Sequence, residues 1–157
     1  MPKISALIHT HNDAARIGRT LDSLRPCDEV LIIDSASDDD TLNIAHAHGA
    51  TVKQAIVGVE RGACAIDTRH EWVLCLRPGE ALSDSLEASL LEWQHSDPDE
   101  YAPGYSFPIR ENAAGEWETG PPEMRLVNRT RVDWAGEVPP NADGALLLEG
   151  HLLRFRD

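Results

Sequence analysis

Two unbroken apolar runs constrain the fold of this chain most: Val30–Ile33 inside Glu29–Asp34 (EVLIID), and Trp72–Leu76 (WVLCL). A strand with one wet face alternates polar and apolar residues. A strand covered on both faces does not, and such strands belong to parallel sheets. The segments around these runs supply the crossovers that parallel pairing needs. Ile4–His9 is a short apolar strand candidate. Asn12 and Asp13 are caps for a helix in which Ile17, Leu21 and Leu24 recur at i, i+4 and i+7, with Pro26 ending it. Ser35–Asp40 is a polar turn rich in capping residues. Thr41–His48 reads as a helix with Gly49 at its C′ position. Thr51–Ala55 is a weaker strand and Arg61–Thr68 a short helix. Pro78-Gly79 breaks the Trp72–Leu76 strand, and Ser83–Trp93 is a helix with Leu86, Leu90 and Trp93 on one face. This β-α-β-α-β-α-β-α order predicts an α/β fold, a parallel sheet covered on both faces.

The second half changes character. The stretch from His95 to Gly104 is polar and carries two prolines. Tyr105–Arg110, Met124–Asn128 and Ala145–Leu148 read as strands between Gly-, Pro- and Asn-containing loops. They are expected to form extra strands and loops over one end of the sheet, within one domain of 157 residues. Aromatics make up only 5% of the chain, so the core must be mainly aliphatic.

Charge narrows the partners. With 27 acidic against 14 basic residues the net charge is −13, which repels nucleic-acid phosphates and anionic lipid surfaces. No apolar run approaches the ~20 residues of a membrane span, and no signal-peptide pattern follows Met1-Pro2-Lys3. Three cysteines without a Cys-x-x-Cys read as reduced thiols packed in or beside apolar stretches. A cytoplasmic protein is therefore expected.

In open α/β sheets ligands bind beyond the carboxyl ends of the strands. That rule selects His9-Thr10-His11-Asn12, Asp34-Ser35-Ala36-Ser37-Asp38 and Arg77-Pro78-Gly79-Glu80. Asp34 suits acceptance from a base N–H or a ribose hydroxyl. The competing reading makes its turn a cap for the Thr41 helix, and pattern alone favours the cap. His9 and His11 share a strand face, which permits a metal site. Lacking a third ligand nearby, His9 reads instead as lying at the core edge. His46 and His48 are surface residues. Asp38-Asp39-Asp40 suits a helix N-terminus. Trp72 and Trp93 are core residues. Trp117 and Trp134 are candidates for a ligand groove, with ordinary packing favoured.

The runs ISALIHTHNDAARIGRTLDSL, DEVLIIDSASDDDTLNIAHAHGA and WVLCLRPGE resemble the family 2 glycosyltransferases, in particular the branch of lipopolysaccharide-core sugar transferases. The resemblance covers residues 4–93 and continues loosely through Tyr105–Arg110 and MRLVNRTRVDWAGEV. It implies a GT-A fold: a sandwich around a mostly parallel central sheet, with a nucleotide-binding half at 1–94 and a truncated acceptor-side half at 95–157. It also implies a nucleotide-diphospho-sugar as ligand. Thr10, His11 and Asn12 match the family's first-strand motif, with His11 at the nucleobase-stacking place. Asp34, Ser35, Ala36 and Ser37 match its Asp-Ser-Gly-Ser run, and Asp39 takes the following aspartate position. Arg61 matches its Arg-Asn pair, with Gly62 in place of Asn. The expected ligand-binding set is thus Thr10, His11, Asn12, Asp34, Ser35, Arg61 and Arg77, in which Arg61 and Arg77 meet phosphate.

Two departures bear on activity. The family's Asp-x-Asp, which holds magnesium or manganese on the diphosphate, is replaced by Arg77-Pro78-Gly79, leaving at most one carboxylate contact from Glu80. Gly136-Glu137-Val138 is followed by Pro139-Pro140 where the branch has a His-Glu pair, so an acceptor-activating acid is missing from its expected place. The resemblance therefore implies no metal cofactor and no assigned catalytic residue. The leading expectation is a glycosyltransferase-like binder of nucleotide sugar, a pseudoenzyme for metal-dependent transfer. The alternatives are an active, metal-independent transferase using Arg77, and a non-catalytic interaction module on the same scaffold, with a second copy of the chain as a partner.

Overall fold

The structure is a computed structural model that describes residues 1–99 and 101–156. The elements run β1 (Ile4–Thr10), α1 (Ala14–Asp22), β2 (Glu29–Asp34), α2 (Thr41–Ala47), β3 (Thr51–Gln54), a 3₁₀ segment (Gly62–Asp67), β4 (Trp72–Leu76) and β5 (Glu80–Leu82). They continue with α3 (Asp84–His95), β6 (Gly104–Ala113), β7 (Glu116–Asn128), β8 (Leu146–Leu147) and β9 (Leu152–Phe155). Among the described residues no helix is long and apolar enough to cross a membrane.

β1 is buried along its whole length because it lies inside the sheet, parallel to both β2 and β4. Leu7 sits opposite Leu31 on one side and Cys75 on the other. β3 continues the parallel set beyond β2. The full order is β3-β2-β1-β4-β7-β6-β9-β5, with β8 against β6. The change to antiparallel pairing comes at β4–β7. This is the mixed, curled sheet of an α/β fold, and its parallel half contains the strands expected from the apolar runs.

The pleat divides the core in two. Ile4, Ala6 and Ile8 of β1, with Ile32, Leu74 and Leu76, face Ile17 and Leu21 of α1 and Leu86 and Leu90 of α3. Trp72, Trp93 and Tyr105 close one edge of this layer with ring centroids 5.1–5.6 Å apart. Leu7, Leu31, Ile33, Val73 and Cys75 form the opposite face. That face is not covered by α-helices. The 3₁₀ segment and the irregular chain around Val132, Trp134 and Val138 cover it instead. Trp134 is buried there, in the packing role favoured for it. Burial at Cys75 pushes its thiol up to about 12, consistent with an inert core residue.

Two strands escaped the sequence reading, β5 and β9. They pair with each other, Ala81 opposite Leu153. A buried ionic cluster locks them to the sheet. The Glu80 carboxylate takes hydrogen bonds from Arg125 Nη1 (2.7 Å) and Nη2 (3.0 Å), and from Arg154 Nη2 (3.0 Å). Arg125 also donates to the Cys75 carbonyl at 3.1 Å, and the Arg77 N–H donates to Glu80 at 2.7 Å. Arg125 and Glu80 are respectively 0% and 1% exposed. Burial alone would raise the Glu80 carboxyl, but the hydrogen bonds and charge of Arg125 hold it below the ordinary value of 4.5. This carboxylate is sealed inside the protein against guanidinium.

Removing one member of a buried ion pair leaves the other uncompensated, at a cost of ~3–5 kcal/mol. Glu80→Gln is expected to lower stability by about that amount in chemical denaturation. Because the Glu80 value is depressed on folding, its contribution is complete above pH 4.5 and is lost as pH falls through the depressed value. The gap between wild type and Glu80→Gln should therefore be widest above pH 4.5 and close on acidification.

Candidate functional site

The site is built where β1, β2 and β4 end together. Thr10 is the last residue of β1 and pairs with Asp34, the last of β2. Thr10 Oγ1 donates to Asp34 Oδ1 at 2.6 Å, and Ser37 donates to the same carboxylate through Oγ (2.6 Å) and N–H (2.9 Å). Gln54, the last residue of β3, donates to it at 3.4 Å. Burial raises the Asp34 carboxyl, but the bonds from Ser37 and Thr10 outweigh burial and hold it below the usual aspartate value.

The loops beyond these strands are laced together. Asn12 adopts φ +51°, and its N–H donates to Ser37 Oγ at 2.9 Å. Its side-chain oxygen accepts from the Asp38 N–H at 2.8 Å. His11 Nδ1 donates to the Ser35 carbonyl. Asp39 accepts from the N–H of Ala14 at 3.2 Å and of Thr41 at 2.9 Å, so one acid serves the starts of both α1 and α2.

Two adjoining cavities open above these loops. One, of about 620 Å³, is lined by Thr10, His11, Arg16, Arg61, Arg77 and Glu137, among others. The second, of about 400 Å³, has an apolar wall from Ile33, Ile56, Val59 and Cys64, with Gln54 at its polar side. His9, Ser35 and Arg61 border both. The apolar wall runs out onto the surface at Ile56 and Val57. A larger concavity of about 780 Å³ lies at the other end of the parallel strands, beside Lys3, Trp72 and Asn128. It is at the amino ends of the strands, away from where α/β sheets bind ligands.

Of the expected residues, Thr10, His11, Ser35, Arg61 and Arg77 line the first cavity. Asn12 and Asp34 do not. Asn12 ties two loops together, and Asp34 is fully buried beneath the cavity with its oxygens committed to Thr10, Ser37 and Gln54. Asp34 therefore lies beneath the floor of the cavity, held by these donors.

Three residues were missed. Arg16 projects from α1 and pairs with Asp13. His9 is buried, and burial together with the Arg61 charge lowers its imidazole to about 4, so it is neutral at pH 7. Glu137 matters most. Its Oε2 lies 3.6 Å from Arg61 Nη1 and 3.6 Å from Arg77 Nε. Burial raises its carboxyl above the ordinary glutamate value, in spite of the two guanidiniums. An acid is thus present in the cavity, although the spacing of Gly136-Glu137-Val138-Pro139-Pro140 placed none there.

Gly62 explains how Glu137 arrives. A Cβ on Gly62 would lie 1.8 Å from the Trp134 carbonyl oxygen, and the Gly62 N–H donates to the Ala135 carbonyl at 3.1 Å. Only glycine lets the 132–138 chain pass this close to Arg61.

The fold matches that of known sugar transferases. S. aureus TarS 1–349, solved in complex with UDP, superposes with a TM-score of 0.57 at 20% identity, over 71% of this chain and 37% of that one. Glucosyl-3-phosphoglycerate synthase from Mycobacterium tuberculosis, solved with Mn²⁺, UDP and glucosyl-3-phosphoglycerate, gives 0.51 at 22% identity, over 68% and 43%. The fold is that of the GT-A glycosyltransferases. In sequence, this GT-A-like chain is 40% identical over 92 residues to an uncharacterized glycosyltransferase of Rickettsia felis, covering 55% of this chain and 32% of the relative. A second, from Rickettsia bellii, is 40% identical over 90 residues, covering 54% and 30%. The chain spans about a third of the length of these curated relatives. No protein-family model matches it.

The Gly62 contact makes a direct prediction. Gly62→Ala forces backbone against backbone, an overpacking cost of ~1–3 kcal/mol. The variant should unfold at lower denaturant and expose Trp134 to solvent, read as a red shift and quenching of tryptophan emission.

Proposed function

We propose that the paired cavities are the donor-side site for a nucleotide-diphospho-sugar, in a glycosyltransferase-like protein whose metal-dependent transfer has been lost. The observation that carries this reading is the convergence of Arg61 and Arg77 on one oxygen-sized position at the ends of β1 and β4. Guanidiniums arranged around one oxygen suit a phosphoryl group, which forms strong charge-assisted hydrogen bonds to arginine. The adjoining apolar-walled cavity suits a nucleobase, with Gln54 and Ser35 as polar partners. His9 and Ser35 border both cavities, with Thr10 and His11 beside them in the first, where a ribose would join base to phosphate. Asp34 and Asn12 act by holding the two loops in register. The structures of TarS and of the phosphoglycerate transferase, both solved with UDP, support the choice of ligand.

The proposed loss of metal rests on donor chemistry. A hard divalent cation needs several oxygen ligands. Arg77 and Gly79 supply no carboxylate, and Glu80 is consumed by Arg125 and Arg154. Asp13 and Glu137 each face guanidinium. These residues do not fit a divalent cation on a diphosphate. In this reading residues 1–94 supply the base and ribose contacts, and residues 95–157 contribute Glu137 from the acceptor side.

A second reading follows from Arg77 itself. Its guanidinium stands at the cavity, and a cation beside a departing diphosphate stabilises the charge that develops there, as a metal does. This reading predicts sugar release from a UDP-sugar in the presence of EDTA, abolished by Arg77→Ala. Absence of release with every donor tried leaves the binding reading.

Calorimetric titration with UDP, with and without manganese, tests the main proposal. We expect micromolar binding that manganese does not strengthen. Arg61→Ala and Arg77→Ala should each weaken it by about tenfold, the ~1.4 kcal/mol worth of a charge-assisted hydrogen bond. A tenfold gain with manganese overturns the metal-free assignment, and no UDP binding at all overturns the site.

A further inference from the structure

We infer that Glu137 is a resident anion of the phosphate position, so that its carboxylate and an incoming diphosphate exclude one another. The inference rests on the nucleotide reading of the cavity and adds a device to it. Both arginines approach the same atom, Glu137 Oε2, one through Nη1 of Arg61 and the other through Nε of Arg77. Two guanidiniums brought to one position repel, and an anion between them relieves that repulsion. In the free protein Glu137 does so.

The contacts are those of an exchangeable occupant. At 3.6 Å each they are ion pairs longer than hydrogen bonds. Compare Glu80, held by Arg125 at 2.7 and 3.0 Å. Displacing Glu137 therefore breaks no well-formed hydrogen bond, while phosphoryl oxygens can form them with both guanidiniums. The side chain is 20% exposed, on an irregular segment that carries no strand pairing of its own at that point. A move toward solvent is open to it.

The groups facing Glu137 come from several elements. Arg77 follows β4, Arg61 precedes the 3₁₀ segment, Glu80 lies in β5 and Asp13 precedes α1. Glu80 and Asp13 oppose its negative charge, and burial opposes it further. A carboxyl raised in this way takes up a proton more readily than an ordinary glutamate, and the proton removes the competing charge. Binding of a diphosphate should therefore gain from acidification as well as from loss of the carboxylate.

The test is UDP titration by calorimetry on wild type, Glu137→Gln and Glu92→Gln. Glu137→Gln keeps the shape and removes the charge. Glu92, on the exposed side of α3, changes the net charge by the same amount far from the cavity. We expect Glu137→Gln to bind UDP at least tenfold more tightly at pH 8, with Glu92→Gln within twofold of wild type. The advantage of Glu137→Gln should shrink as pH falls to 5.5. Comparison at each pH removes the titration of UDP itself. Equal or weaker binding by Glu137→Gln, alongside measurable binding by wild type, overturns the exchange and makes Glu137 a neutral bystander or a ligand contact. Equal tightening by Glu92→Gln overturns it in favour of a net-charge effect. If none of the three proteins binds UDP, the nucleotide reading falls and the exchange falls with it.

Discussion

The Glu80–Arg125 ion pair is the interaction on which the rest of this structure hangs. It joins the short strand after β4 to the long antiparallel strand β7, and through Arg154 it reaches β9. By accepting from the Arg77 N–H it also shapes the turn that presents Arg77 to the cavity. Two charges inside a protein are costly to desolvate, and they persist only where further hydrogen bonds complete them. Here the Cys75 carbonyl, Glu123 and Arg154 complete the set. The two halves of the sheet are joined by the β4–β7 pairing and shared apolar core, and the ionic cluster adds a third tie between them.

The polar floor under the cavity follows the same logic on a smaller scale. Asp34 organises two loops from beneath by taking donors from Thr10, Ser37 and Gln54. The positive-φ residues Asn12 and Ala36 sit in those loops, where lacing across the strand ends holds the backbone in place. A carboxylate at this position therefore acts first on geometry. Thr10, His11, Ser35 and the arginines line the cavity above it.

Local pattern was enough for the parallel half. EVLIID and WVLCL are apolar throughout because both faces are covered, and α3 follows a serine cap with Leu86, Leu90 and Trp93 at helical spacing. β5 and β9 are three and four residues long, and β5 directly follows Pro78-Gly79, so neither carries a periodic signal. The partner of Glu80 lies 45 residues away, and no local rule finds it. Five of the seven expected site residues line the first cavity; strand ends locate Thr10, His11, Ser35 and Arg77, and the family resemblance locates Arg61. Glu137 was missed because its place depends on the path of a loop. The one local sign was Gly62, whose lack of a side chain matters only once Trp134 is known to cross it.

The pairing of β5 with β9 also bears on the order of events in folding. β5 begins four residues after β4, yet its partner is at residues 152–155. The β1–β2 pair closes across one crossover, Ser5 to Glu29, whereas β5 waits for a strand near the far end of the described chain, Glu80 to Arg154. Such long-range closures form late because loop entropy must be overcome first. The turn that aims Arg77 is tied to Glu80, and Glu80 is pinned by Arg154 of β9. The aim of Arg77 into the cavity thus depends on a strand pairing that joins distant parts of the sequence.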